Sequence, residues 1–123
     1  MTMTTWYQGT VIHGLHNGHT FGFPTANIRL AEHPFIDSGV YAVRVMVVNK
    51  TYNGMLYVGT RPTLNLTQTT IEINIFDFTQ DIYNQKISFS IVQKIRDEAH
   101  FASTEELIQQ LHHDRKQIEQ ILL

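Results

Sequence analysis

A hydroxyl and an amide two residues apart, Thr25 and Asn27, and a carboxylate elsewhere in the chain, Glu72, are the groups whose types could do chemistry. Thr25 and Asn27 close the stretch Gly9–Asn27, GTVIHGLHNGHTFGFPTAN, which holds four of the chain's seven glycines (Gly9, Gly14, Gly18 and Gly22). Glycines at this density let a backbone bend close to a ligand and turn its N–H groups toward phosphate oxygens. Pro24 fixes its own φ and pushes Phe23 toward an extended conformation. With the segment extended, Thr25 and Asn27 project from one side. That gives a hard-oxygen pair of the kind that suits Mg²⁺. The same letters read equally well as a glycine-rich turn between strands with no ligand.

Glu72 falls inside the alternating run Thr70–Phe78, where Ile71, Ile73 and Ile75 share one face and Glu72, Asn74 and Phe76 the other. Glutamate is disfavoured in strands, and a carboxylate on a rigid strand is well placed as a general base toward a hydroxyl. On pattern alone, a charge that merely solvates a half-exposed strand is the better reading. His13, His16 and His19 recur every third residue, but zinc ligation at that spacing needs a regular helix, and glycines interrupt the segment. His112 and His113 point in different directions on a helix and are expected in solvent. Arg96 close to Phe101 could bracket a planar ligand, or Arg96 could simply pair with Asp97 or Glu98.

These groups need a scaffold. The 123 residues suffice for one domain, residues 1–123, with a sizeable core. A formal charge of −2 offers no basic field for nucleic acid. The absence of cysteine excludes disulfides, thiolate metal sites and a cysteine nucleophile. Met1–Thr5 carries no signal-peptide pattern, and no apolar stretch approaches the ~20 residues of a membrane span. A cytoplasmic protein is expected.

Trp6–His13 is rich in strand formers, and Ile28–Pro34 reads as irregular. Val40–Val48 predicts a long buried strand, Asn53-Gly54 the next turn, and Met55–Gly59 a strand that Thr60-Arg61-Pro62-Thr63 breaks. Asn65–Thr70 reads as a polar loop, followed by the alternating run, a loop around Asp81–Gln85, and a strand over Ile87–Ile95. Ser103 with Glu106 forms a capping box for a terminal helix over about 103–121, whose apolar stripe is Leu107, Leu111, Ile118, Ile121 and Leu122. Five or six strands at short spacing and one helix predict a closed or nearly closed antiparallel barrel over about 6–96, with the helix packed outside.

Taken together, the segments resemble the riboflavin kinase (flavokinase) family. The likeness is carried by Gly9-x-Val11-x-x-Gly14, Gly22-Phe23-Pro24-Thr25-Ala26-Asn27, Gly39-Val40-Tyr41-Ala42-Val43 and Tyr52-x-Gly54-Met55. It continues through Val58-Gly59-Thr60-Arg61-Pro62-Thr63, Glu72 with Phe76-Asp77-Phe78, Tyr83, Arg96-Asp97-Glu98 with Phe101, and Leu107 with Asp114. The resemblance implies a mainly β, six-stranded antiparallel, Greek-key-like barrel with a C-terminal helix. It implies transfer of the ATP γ-phosphoryl group to the ribityl 5′-hydroxyl of riboflavin, giving FMN and ADP, the first step of FMN and FAD biosynthesis.

By the same resemblance, Thr25 and Asn27 meet Mg²⁺ and the nucleotide phosphates, and Glu72 is the base. Gly14, His19, Ile75, Asp77 and Tyr83 lie along the ATP side, and Arg96 and Phe101 contact the flavin. His19 stands where the family usually has Arg or Lys, so a weaker or pH-dependent phosphate contact is expected there. Tyr57 stands where bacterial members commonly have Asn, so that wall of the site is expected to differ in shape. Bacterial relatives carry a linked FAD synthetase (FMN adenylyltransferase) domain. A monomer without nucleic-acid or membrane partners is expected. The alternative is a non-catalytic flavin- or nucleotide-binding barrel, which would have no need of a base.

Overall fold

The computed structural model describes residues 4–16, 22–32, 34–63 and 66–123. Six antiparallel strands close into a barrel in the order β1-β2-β5-β4-β3-β6. They are β1 (Tyr7–His16), β2 (Thr25–Leu30), β3 (Gly39–Val47), β4 (Lys50–Thr63), β5 (Leu66–Ile75) and β6 (Lys86–Arg96), followed by the helix α1 (Thr104–Ile121). Closure removes the sheet edges that an open sheet would expose.

Alternation along the strands divides two apolar clusters. Inward-facing residues fill the barrel, among them Val11, Ala26, Val43, Leu56, Ile71, Ile73 and Phe89. A second cluster lies outside the barrel: Val40, Ala42, Met55, Phe76 and Phe23 receive Ile118 of the helix and Leu122 at its C-cap. Burying that face holds the helix, because propensity alone would not stabilise it. Ser103 caps it as expected, accepting from the Glu106 N–H at 3.2 Å, while the Glu106 carboxylate accepts from the Ala102 N–H at 3.1 Å.

Several boundaries depart from the sequence reading. Asn53-Gly54 is no turn: the chain reverses at Val48-Asn49, with Val48 at a φ of 58°, and Gly54 lies inside β4. A Cβ on Gly54 would meet the Asn74 carbonyl oxygen at 3.0 Å and Val45 Cγ2 at 3.2 Å, so glycine answers to close packing here. Pro62 does not end β4; it pairs with Thr67 near the end of the β4–β5 ladder, where a missing donor costs little. Residues 66–70, read as loop, belong to β5, and residues 28–30 to β2.

Candidate active site

The Phe23-Pro24-Thr25 segment is held at three successive points. Phe23 is buried in the outer cluster and its ring meets the edge of His112 at 5.0 Å. His112 is exposed yet engaged on one side by Phe23, and only His113 fits the expectation of a solvated pair. The Pro24 carbonyl accepts a 2.8 Å hydrogen bond from Asn74 Nδ2. The Thr25 hydroxyl donates to Glu72 Oε1 at 3.3 Å. Asn74 is 4% exposed, and its Oδ1 has no hydrogen-bond partner among the described residues.

Strand register then sets the wider site. Asn27 of β2 lies opposite Glu72 of β5, Glu72 opposite Tyr57 of β4, Tyr57 opposite Val40 of β3, and Val40 opposite Arg96 of β6. Residues opposite one another in antiparallel strands share a face, so these five form one row across the outer surface of the barrel. At ~4.8 Å per strand, Glu72 and Arg96 stand about 14 Å apart along the sheet. The row therefore suits an elongated ligand with one end at each residue.

At the Arg96 end, a cleft of about 520 Å³ is lined by Tyr57, Ala99, His100, Phe101, Ala102, Ser103, Thr104 and Leu107. The Arg96 guanidinium carbon stands 5.7 Å from the centre of the Phe101 ring. The pairing of Arg96 with the carboxylate of Asp97 or Glu98, which the sequence pattern alone favours, does not form. The partner of Arg96 is Asp114 on α1, at 2.9 Å from Nη2, while Asp97 pairs with Lys94 at 2.7 Å. That contact lowers the Asp97 carboxyl from its usual range and raises Lys94. Burial pushes the Tyr57 phenol up, with Glu98, Glu72 and Asp114 adding to the effect and Arg96 opposing it. Its hydroxyl accordingly stays protonated at neutral pH.

Thr25, Asn27 and Glu72 are brought together, and Arg96 with Phe101 forms the second group. Gly14 lies in the irregular part of β1, between His13 opposite Asn27 and His16 opposite Thr25, and so borders the first group. The three-histidine helix geometry does not arise, since β1 is extended through His16. His19 lies outside the described residues. Ile75 points into the barrel at 3% exposure, which leaves only its backbone for a ligand. Asp77 is drawn to Arg115 of α1 at 3.0 Å. Tyr83 is exposed on the β5–β6 connection, with its N–H donated to Asp81.

Asp114 and Asn74 were not singled out for their contacts. Asp114 left a readable trace, since a charged residue falls on the apolar stripe between Leu111 and Ile118. Asn74 left none beyond sharing the Glu72 face. Among the described residues no cluster of three His, Cys, Asp or Glu is placed to hold a metal. A Mg²⁺ ion needs no such cluster, because it commonly takes one or two protein oxygens together with water and substrate phosphates. The Thr25 hydroxyl and the Asn27 amide oxygen fit that mode, with the Glu72 carboxylate beside them.

The riboflavin kinase family model matches residues 2–122. The bifunctional riboflavin kinase/FMN adenylyltransferase of Haemophilus influenzae is 43% identical over 107 residues, which cover 86% of this chain and 35% of the relative. The chain thus spans about a third of that protein's length. A solved Streptococcus pneumoniae protein named as a macrolide-efflux protein superposes with a TM-score of 0.83 at 36% identity, over 92% of this chain and 38% of that one. Riboflavin kinase from Trypanosoma brucei shares the fold, with a TM-score of 0.67 at 22% identity over 95% and 78% of the two chains. With its barrel, its helix and nearly its whole length accounted for, the chain belongs to the riboflavin kinase family.

Proposed function

We propose that this domain phosphorylates riboflavin, using ATP and Mg²⁺, with Glu72 as general base. The observation that carries the reading is the contact between Thr25 and Glu72 with Asn27 directly opposite, set at one end of a row whose other end is Arg96, beside the Phe101 ring of the cleft. Riboflavin has the matching form, a planar ring system with a five-carbon hydroxylated chain. The ring system occupies the cleft beside Arg96 and Phe101, and the chain runs along the row to Glu72.

The Glu72 carboxylate takes the proton of the ribityl 5′-hydroxyl as its oxygen bonds to the γ-phosphorus. The bond from that phosphorus to the β-bridging oxygen breaks, leaving ADP. Phosphoryl transfer asks a protein chiefly for positioning and charge stabilisation, so one carboxylate suffices and no covalent nucleophile is needed. Thr25 and Asn27 would hold Mg²⁺, which when bound offsets charge on the phosphates. Phe23, Pro24 and Asn74 keep those two residues in register with Glu72. Gly14 and His19, with the Ile75 backbone, Asp77 and Tyr83, flank the nucleotide in this reading. Among the described residues the closed barrel leaves no edge strand for pairing between copies, which favours a monomer.

The test is FMN formation from riboflavin and ATP, followed by chromatography, with and without Mg²⁺. Metal-dependent FMN supports the reading. Riboflavin bound without turnover in the presence of Mg²⁺ would leave the binding-barrel alternative in its place.

A further inference from the structure

Two residues in the row have no part in the proposed reaction, and of these Val40 is fully buried while Tyr57 reaches the cleft. Tyr57 lies beside Glu72 across the β4–β5 ladder and lines the cleft together with Phe101 and Leu107. Tyr57 is partly buried and packs on the outer apolar cluster. Beside it, Gly59 leaves little room: a Cβ there would stand 3.1 Å from Thr70 Oγ1 and 3.6 Å from both Glu98 Oε1 and Tyr57 Cε1. A ring backed by packing on one side and open to a cleft on the other presents a fixed apolar face. That face adjoins the carboxylate assigned as the base, so whatever lies on it is aligned with the reacting end of the site.

We propose that Tyr57 is a specificity-determining residue of the acceptor site, its ring forming the floor on which the acceptor's planar ring system lies. The proposal rests on the riboflavin kinase reading. An acceptor seated there has its ring located by Tyr57 and Phe101 and its chain directed toward Glu72. A substrate without a planar ring would bind without that register.

The chemistry of flavins supplies a readout separate from activity. A phenol in contact with an excited flavin quenches it by electron transfer, whereas a phenyl ring does not. Among the described residues that line the cleft, Tyr57 is the one tyrosine and there is no tryptophan. Riboflavin emission is therefore measured with wild type and with Tyr57→Phe, a variant that keeps the ring's volume and packing. Strong quenching by wild type, lost with bound riboflavin retained in Tyr57→Phe, is the expected result. In Tyr57→Asn, which removes the ring, the KM for riboflavin should rise up to about tenfold while the KM for ATP holds.

Equal quenching in wild type and Tyr57→Phe would overturn the proposal and leave the kinase reading standing. So would a Tyr57→Asn variant whose two KM values rise together, the signature of a merely structural residue. Failure of wild type to bind riboflavin at all would overturn the kinase reading, and the proposal with it.

Discussion

Arg96 and Asp114 form a charge pair that joins the end of the barrel to the middle of the helix. Arg96 Nε donates to both Asp114 oxygens at 3.1 Å, and Nη2 donates to Oδ2 at 2.9 Å. Gln110 Nε2 adds a 2.9 Å bond to Oδ1, so each oxygen of the fully buried carboxylate has two donors. Arg96 Nη1 reaches the Asp97 carbonyl at 3.2 Å. The fork fixes the guanidinium over Phe101 and ties the wall of the cleft to the helix that closes it. A lysine could supply the charge but not this planar, two-pronged geometry.

Removing one partner of such a pair leaves the other charge partly buried and unpaired, which costs about 3–5 kcal/mol. Asp114→Ala should therefore lower stability by that order, read as a shift in the urea midpoint. Asp114→Asn keeps the shape and part of the hydrogen bonding, so it should fold with a smaller loss. Its KM for riboflavin should nonetheless rise, because the Arg96 fork is no longer locked. An Asp114→Ala variant as stable as wild type would show that the pair does not hold the helix in place.

Glu72→Gln tests the base directly. The amide preserves size and can still meet the Thr25 hydroxyl, so riboflavin and nucleotide binding should be kept. Turnover should fall by roughly 10²–10⁴-fold, the usual contribution of a positioned general base. Steady-state kinetics alongside equilibrium binding separates the two quantities. Binding lost in step with turnover would reassign Glu72 to ligand holding.

The barrel was legible because its inner face is written as strict alternation, with Ile71, Ile73 and Ile75 the clearest case. Thr25, Asn27 and Glu72 converge as expected, since extended backbone on β2 and alternation on β5 are local properties. Non-local packing was not legible. Gly54 carries a turn signature yet sits mid-strand, because β3 and β5 side chains and backbone crowd it. Ile75 falls in the segment that resembles the nucleotide wall, yet its strand parity turns the side chain into the core. Arg96 found its partner 18 positions away on another element rather than next door.

Alkaline pH should reveal two phenols, one buried at Tyr41 and one half-buried at Tyr57. Burial is the main cause that raises Tyr57 and Tyr41 above 10.0; for Tyr41, Lys94 opposes it and Asp37 and Asp97 add to it. The folded protein thus keeps protons that the unfolded chain gives up near pH 10. Stability from this source is intact below that value and is lost as pH rises through the raised folded values. Lys94, raised by its contact with Asp97, acts in the same direction, so a comparison with Tyr57→Phe isolates one phenol. Urea midpoints between about pH 8 and pH 11 should fall less steeply in the variant. Parallel curves would mean that Tyr57 ionises as freely in the fold as in the open chain.

Asn74 offers the sharpest separation of holding from chemistry. Its Nδ2 secures the Pro24 carbonyl from a strand 50 positions on, one residue before the hydroxyl that meets Glu72. Asn74→Ala leaves that carbonyl without its donor, which costs about 1–3 kcal/mol where the group is buried. The Thr25–Asn27 segment then loses one of three restraints while Glu72 and the flavin cleft stay intact. The KM for ATP should consequently rise more than the KM for riboflavin, and a higher Mg²⁺ concentration should be needed for half-maximal rate. Asn74→Asp should be worse than Asn74→Ala, since a carboxylate facing a carbonyl repels where the amide donated. Equal rises in both KM values would show that Asn74 supports the barrel as a whole and has no particular hold on the nucleotide side.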